Sequence, residues 1–150
     1  MSVIITMDGY TLPSGYILKE LCIMFQNEEF NHYLFSKPEN MMLTEQDRRT
    51  IRFATGRVNN LGFEDGDVPY EHIINILEKQ KDYHIYTYSE VAREELQKYL
   101  PTTLIENVQN LNFKMPANPP KANCFRNHNP RYCAKAKAIE VKKFIKLMKL

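Results

Sequence analysis

Tyr16-Ile17-Leu18-Lys19-Glu20-Leu21-Cys22-Ile23-Met24-Phe25 is the stretch on which the fold turns. It reads as one strand. Side chains of a strand alternate between faces, so Leu21, Ile23 and Phe25 share one side and Glu20, Cys22 and Met24 the other. A carboxylate placed mid-strand between Leu18 and Cys22 is costly to bury without a partner or a metal. The plainer alternatives are an edge-strand glutamate in water, or an ion pair with a lysine.

Upstream, Val3-Ile4-Ile5-Thr6-Met7 is rich in β-branched residues and reads as a strand ending in a turn at Asp8-Gly9-Tyr10. Pro13-Ser14-Gly15 makes another turn. Downstream, Asn27-Glu28-Glu29 is a hairpin connection, and residues 30–35 return as a third strand. Three short strands joined by tight turns predict an antiparallel meander. Thr44-Glu45-Gln46-Asp47 resembles a capping box before a helix through about Arg57. After turn-rich residues 59–67, Pro69 opens a helix whose buried stripe is Ile73, Ile76 and Leu77. Residues 83–88 read as a fourth strand, Ser89 caps a helix that Pro101 ends, and residues 103–108 form a short fifth strand. A proline-rich loop at 115–120 precedes the last helix, whose apolar stripe is Ala134, Ala138, Val141, Ile145 and Met148. The order βββ-α-α-β-α-β-α predicts an α/β fold: a mixed sheet, the three-strand antiparallel meander plus further strands, covered by helices.

The chain has 150 residues, 43% hydrophobic and 25% charged, which fits one globular domain over 1–150. No apolar run approaches membrane-spanning length, and the first residues lack the order of a signal peptide. Three cysteines, an odd number, argue against a secreted disulfide scaffold. The expected location is intracellular, in the cytoplasm with the nucleus as the alternative, and no membrane partner is expected. The net charge of +2 conceals an asymmetry, because ten of the 20 Lys/Arg but one of the 18 Asp/Glu lie from Lys114 onward. A basic C-terminal end suggests an acidic partner such as nucleic acid.

Chemistry concentrates in Cys124-Phe125-Arg126-Asn127-His128-Asn129-Pro130-Arg131-Tyr132-Cys133. Two cysteines and a histidine around an Asn-Pro turn are zinc-ligand types. Three ligands do not close a tetrahedron, and Glu20 or Cys22 is the candidate fourth. The alternative is one buried cysteine, one helix-cap cysteine and a surface histidine. His32, His72 and His84 have no cysteine or carboxylate at ligand spacing and read as structural or surface residues. Glu64, Asp65 and Asp67 read as a solvated loop with Asp67 capping the next helix, in preference to a residual cation site. Ser14 and Ser89 lack a histidine partner, so a serine nucleophile has no support. Phe125, Arg126, Arg131 and Tyr132, with Lys135, Lys142, Lys143 and Lys146 of the last helix, mix planar and cationic groups. That mixture suits single-stranded RNA, whose bases stack on aromatic rings while its phosphates meet cations.

Ile17-Leu18-Lys19-Glu20-Leu21-Cys22-Ile23, Gly62-Phe63-Glu64-Asp65-Gly66, His84-Ile85-Tyr86-Thr87-Tyr88-Ser89 and Cys124-x3-His128-x4-Cys133-Ala134 resemble successive landmarks of the Maelstrom domain. That family belongs to small-RNA (piRNA) silencing in animal germ cells and is similar in fold to DEDD-type 3′–5′ exonucleases of the RNase H-like class. The resemblance implies a structural zinc on Glu20, Cys124, His128 and Cys133, and RNA binding. An atypical, metal-independent ribonuclease activity on single strands stays open. The gap between His128 and Cys133 is shorter than the family's, and its DNA-binding box is absent. Of the exonuclease carboxylates, Asp8 is retained at best, and Cys133 stands in place of an aspartate. Cysteine suits zinc and not magnesium, so ordinary two-metal catalysis is disfavoured. The rival function is a catalytically inactive protein-interaction module in RNA silencing or viral counter-defence. Nothing in the sequence speaks to oligomeric state.

Overall fold

Alternating β-branched and aliphatic residues near the N-terminus form two long strands, β1 (Ser2–Leu12) and β2 (Gly15–Met24). The computed structural model describes residues 1–56, 62–122 and 131–150. The two strands pair antiparallel from Ile4↔Met24 to Leu12↔Gly15. Gly15, at φ +140°, closes the connection in a backbone region that a side chain would strain.

The turn expected at Asp8-Gly9-Tyr10 does not occur. The strand runs on to Leu12, and the ladder slips by one residue between Asp8↔Glu20 and Gly9↔Leu18, leaving Lys19 as the extra residue of a β-bulge. A Cβ at position 9 would collide with the Ile17 carbonyl and the Tyr16 ring, so this glycine serves close strand approach. The bulge also reverses the side-chain alternation. Leu18 joins Leu21 and Ile23 in one core cluster, while Cys22 packs into the cluster on the opposite face.

A tight connection with Glu28 in the left-handed region (φ +71°) leads into β3 (Phe30–Leu34), which pairs with β2 through Cys22↔His32 and Glu20↔Leu34. β4 (His84–Thr87) lies parallel to β1, and β5 (Ile105–Asn107) parallel to β4. The sheet order is β3-β2-β1-β4-β5. A meander extended by parallel strands and covered by helices is the expected RNase H-like α/β arrangement.

α1 (Glu45–Ala54) begins at the expected capping box, Thr44 and Asp47 bonding reciprocally to each other's backbone. Its expected end at Arg57 lies outside the described residues. A 3-10 turn (Tyr70–His72) that starts at Pro69 runs into α2 (Ile73–Glu78), and Ser89 caps α3 (Glu90–Tyr99) through Ala92 N–H. One face of the sheet, with Val3, Ile5, Met7, Leu21, Ile23 and Ile85, is covered by Ile73, Leu77, Ala92 and Leu96 of α2 and α3. The other face, with Ile4, Cys22, Met24 and Tyr86, is covered by α4 (Ala134–Met148). The buried stripe of α4 is Ala134, Ala138, Val141 and Ile145. Met148, expected to extend it, is 53% exposed and does not join the stripe that packs over β1 and β2.

Lys19 carries the bulge. Its side chain is buried, and Nζ donates to the carbonyls of Phe35 (2.8 Å), Phe63 (2.9 Å) and Asp65. An ammonium can leave water only when its donors are satisfied, and here three backbone carbonyls from two segments do that. Lys19 therefore ties the 62–67 loop to the end of β3. Glu64 of that loop pairs with Lys37 at 2.9 Å. The following 3-10 turn starts at Pro69 with no side-chain cap, so Asp67 does not cap it as expected.

Candidate metal centre and basic groove

β2 is flanked by β3 and β1, so Glu20 lies on an interior strand and not on an edge. Its carboxylate is fully buried. Oε1 accepts the backbone N–H of Ala134, the first residue of α4, at 2.8 Å. Oε2 lies 2.5 Å from His32 Nε2, and because an ionised carboxylate only accepts, the ring nitrogen is the donor. Glu20 is therefore not an edge-strand glutamate in water but a buried group held between β3 and the start of α4. It is an anion seated at the positive end of α4, where N–H groups lack helical partners. Thr6 fixes the same point, its hydroxyl donating to the Ala134 carbonyl at 2.5 Å.

Cys133 is the residue before α4, is buried, and makes no side-chain cap bond to the helix. Its Sγ sits 3.8 Å from Glu20 Oε2, although the two residues are 113 positions apart in the chain. The pair combines a carboxylate and a thiol, both good zinc donors when ionised. The other two expected ligands, Cys124 and His128, lie outside the described residues. Among the described residues, no group of three His, Cys, Asp or Glu side chains is arranged to hold a metal ion.

Cys22, the other candidate ligand, is on the Glu20 face but packs into the core under α4. Burial, then the nearby Glu20 and Cys133, push its thiol up to about 12. A neutral core thiol is the form this environment favours. Asp8 is the ladder partner of Glu20 and is also buried. These are the two carboxylates that the β1–β2 ladder brings together.

His32 is the site residue that sequence reasoning missed. The signal lay in the hairpin: folding the chain at Asn27-Glu28-Glu29 aligns Cys22 with His32, and two residues along that face lies Glu20. Spacing along the chain conceals this, since ligand-spacing patterns assume local neighbours. His84 likewise gains a carboxylate only across strands, at 3.3 Å from Glu106.

The basic residues split into two groups. Phe125 and Arg126 lie outside the described residues. Arg131 is exposed and Tyr132 half-buried beside the start of α4. Lys135, Lys142, Lys143 and Lys146 lie on the side of α4 next to the β2–β3 hairpin, with the ends of Lys143 and Lys146 largely in solvent. Lys135 Nζ lies 4.2 Å from the centroid of the Phe30 ring. Lys142 donates to the Gln26 carbonyl (3.0 Å), Lys146 pairs with Glu28 (2.6 Å), and Lys143 pairs with Glu140 (2.9 Å). Between hairpin and helix runs a groove of about 290 Å³, floored by Met24, Phe30 and Ile139 and rimmed by these lysines. Among the described residues, no helix is long and apolar enough to cross a membrane. Compared with known proteins, the chain matches no family model and no curated protein.

Proposed function

We propose that this chain is a zinc-containing, RNA-binding domain of the Maelstrom-like kind, built on an RNase H-like sheet. The observation that carries the reading is the meeting of the Glu20 carboxylate and the Cys133 thiol, 3.8 Å apart at the start of α4. On this reading Cys124 and His128 would complete a set of four protein donors, which suits a structural zinc and would leave no coordination position for substrate. When bound, the metal supplies folding energy by joining β2 to the segment that leads into α4. The same junction aligns the lysines of α4 along the hairpin, and they supply the cationic track that RNA phosphates need.

Ordinary two-metal phosphodiester cleavage needs several carboxylates converging on two ions about 4 Å apart. The first two strands supply Asp8 and Glu20, and Glu20 is committed to His32, to Ala134 and, on this reading, to zinc. Binding, not magnesium-dependent exonuclease activity, is therefore the function proposed.

The test is elemental analysis of the purified chain and of Cys133→Ser, with single-stranded RNA binding measured across a salt series. The expected result is one zinc per chain, lost in the variant. Contact with three or four phosphates gives a slope of log K against log salt of roughly −2 to −3. Added magnesium produces no 3′ shortening. Absence of zinc in the wild type refutes the metal centre. Absence of RNA binding at low salt moves the function to the protein-interaction module.

A further inference from the structure

We propose that the groove between the β2–β3 hairpin and α4 seats one unpaired nucleobase, with the flanking phosphates held by the α4 lysines. The inference deepens the RNA-binding reading and rests on it. The groove's floor and rim lie wholly outside the Phe125–Tyr132 segment, and Phe30 is the group on which the seat depends.

Phe30 is a large aromatic left 42% exposed beside Met24 and Ile139, an apolar patch in the middle of a cationic surface. Lysine rims alone would suit any polyanion. An aromatic floor adds a requirement for a flat, π-faced group, which phosphate or sulfate lacks. The volume of about 290 Å³ lies at the small end of ligand pockets, which fits one ring system and not a stack of several. Bases inside a duplex have both faces covered by their neighbours, so only an unpaired base can enter.

The rim matches the rest of a nucleotide. Lys135, Lys142, Lys143 and Lys146 set four ammonium groups around the floor against the single groove carboxylate of Glu28. Each ammonium has three donors, and the bonds from Lys142 to the Gln26 carbonyl and from Lys146 to Glu28 use one apiece. A base that stacks on Phe30 displaces Lys135 from the face of the ring, where it now makes a cation–π contact, and turns it toward a phosphate. Glu28 acts against the ligand: it holds Lys146 at 2.6 Å, and its carboxyl lies below the usual range because of that lysine. Removing its charge should therefore tighten binding, a signature that a purely structural ion pair would not show.

The experiment uses the full chain with a fluorescently labelled oligouridine and a duplex RNA of equal length, followed by anisotropy. Phe30→Ala should weaken single-strand binding roughly 5- to 100-fold, the range of one base–aromatic stack, and leave duplex binding unchanged. Phe30→Tyr should restore it, and Glu28→Gln should tighten it. Circular dichroism and melting establish that each variant is folded. If Phe30→Ala binds single strands as the wild type does, while Lys142→Ser/Lys143→Ser loses affinity, the base seat is wrong and the RNA reading stands. If the wild type binds no RNA at low salt, both fall. If a glutamate-rich aromatic peptide binds in place of RNA, and Phe30→Ala abolishes that binding, the groove belongs to an acidic protein segment and the proposal is overturned.

Discussion

Replacing Glu20 by glutamine asks what the buried carboxylate is worth. The amide keeps the side chain's size, and its oxygen can still accept the Ala134 N–H, so that 2.8 Å bond survives in weaker form. Facing His32, the variant places an N–H₂ group or a neutral oxygen where the 2.5 Å contact to an anion now lies. A hydrogen bond to a charged group contributes about 1.5–3 kcal/mol net. A negative charge at a partly buried helix N-terminus contributes about 0.3–2 kcal/mol more. Against these stands the cost of burying the carboxylate, several kcal/mol per ion, much of which the neutral amide avoids. We expect a net loss of about 2 kcal/mol in chelator-treated protein. For a domain of this size that lowers Tm by roughly 4–8 °C. The gap should widen when zinc is present, because the variant also loses a ligand. Urea unfolding with and without zinc measures both terms. A metal-free Glu20→Gln as stable as the wild type, or more stable, would refute the reasoning, since desolvation would then outweigh the bonds.

Two further outcomes are expected. Lys19→Met removes the donor to Phe35, Phe63 and Asp65 carbonyls while keeping the chain length; stability should fall by about 2–4 kcal/mol, with faster amide exchange in the 62–67 loop. A change within roughly 0.5 kcal/mol, the size of an ordinary surface substitution, would show that the ammonium is not a structural pin. Backbone hydrogen bonding from Thr44, followed by bonds from Ser14, holds the Asp47 carboxyl below its ordinary value. A depressed folded pKa means that its contribution is fully present above the unfolded value, about 3.9, and is lost as pH falls through the folded one. In Asp47→Asn that part of the acid-induced destabilisation should disappear, so urea midpoints of variant and wild type should converge below about pH 4.

Much of the architecture is legible in short-range sequence pattern. The β-branched run Val3–Met7, the alternation from Glu20 to Phe25, the hairpin signal at Asn27-Glu28-Glu29, the Thr44/Asp47 box, the Ser89 cap and the four-three spacing from Ala134 to Ile145 all report local preferences. Their physical basis lies within a few residues, and the structure keeps each of them. The α/β order follows once those elements are counted. Local reading fails where a residue's role is decided by the opposing strand. Asp8-Gly9 has turn composition, yet Gly9 is needed because β2 approaches it too closely for a side chain.

Half of the candidate centre shows the same division. The sequence by itself determined that Cys133 would begin the last helix, that Glu20 would stand mid-strand, and that basic charge would gather toward the C-terminal end. Which side of β2 Glu20 faces, and what it meets there, depends on a one-residue bulge at Lys19 and on where α4 crosses the sheet. His32 joins it through the β2–β3 register, and Phe30 comes beneath Lys135 through the same register combined with the docking of α4. Such contacts link residues far apart along the chain, and their energies depend on burial and on distances of a few ångströms. Sequence periodicity carries neither quantity, so the tertiary structure alone decided that a buried carboxylate, a thiol and a histidine should share one corner of the sheet.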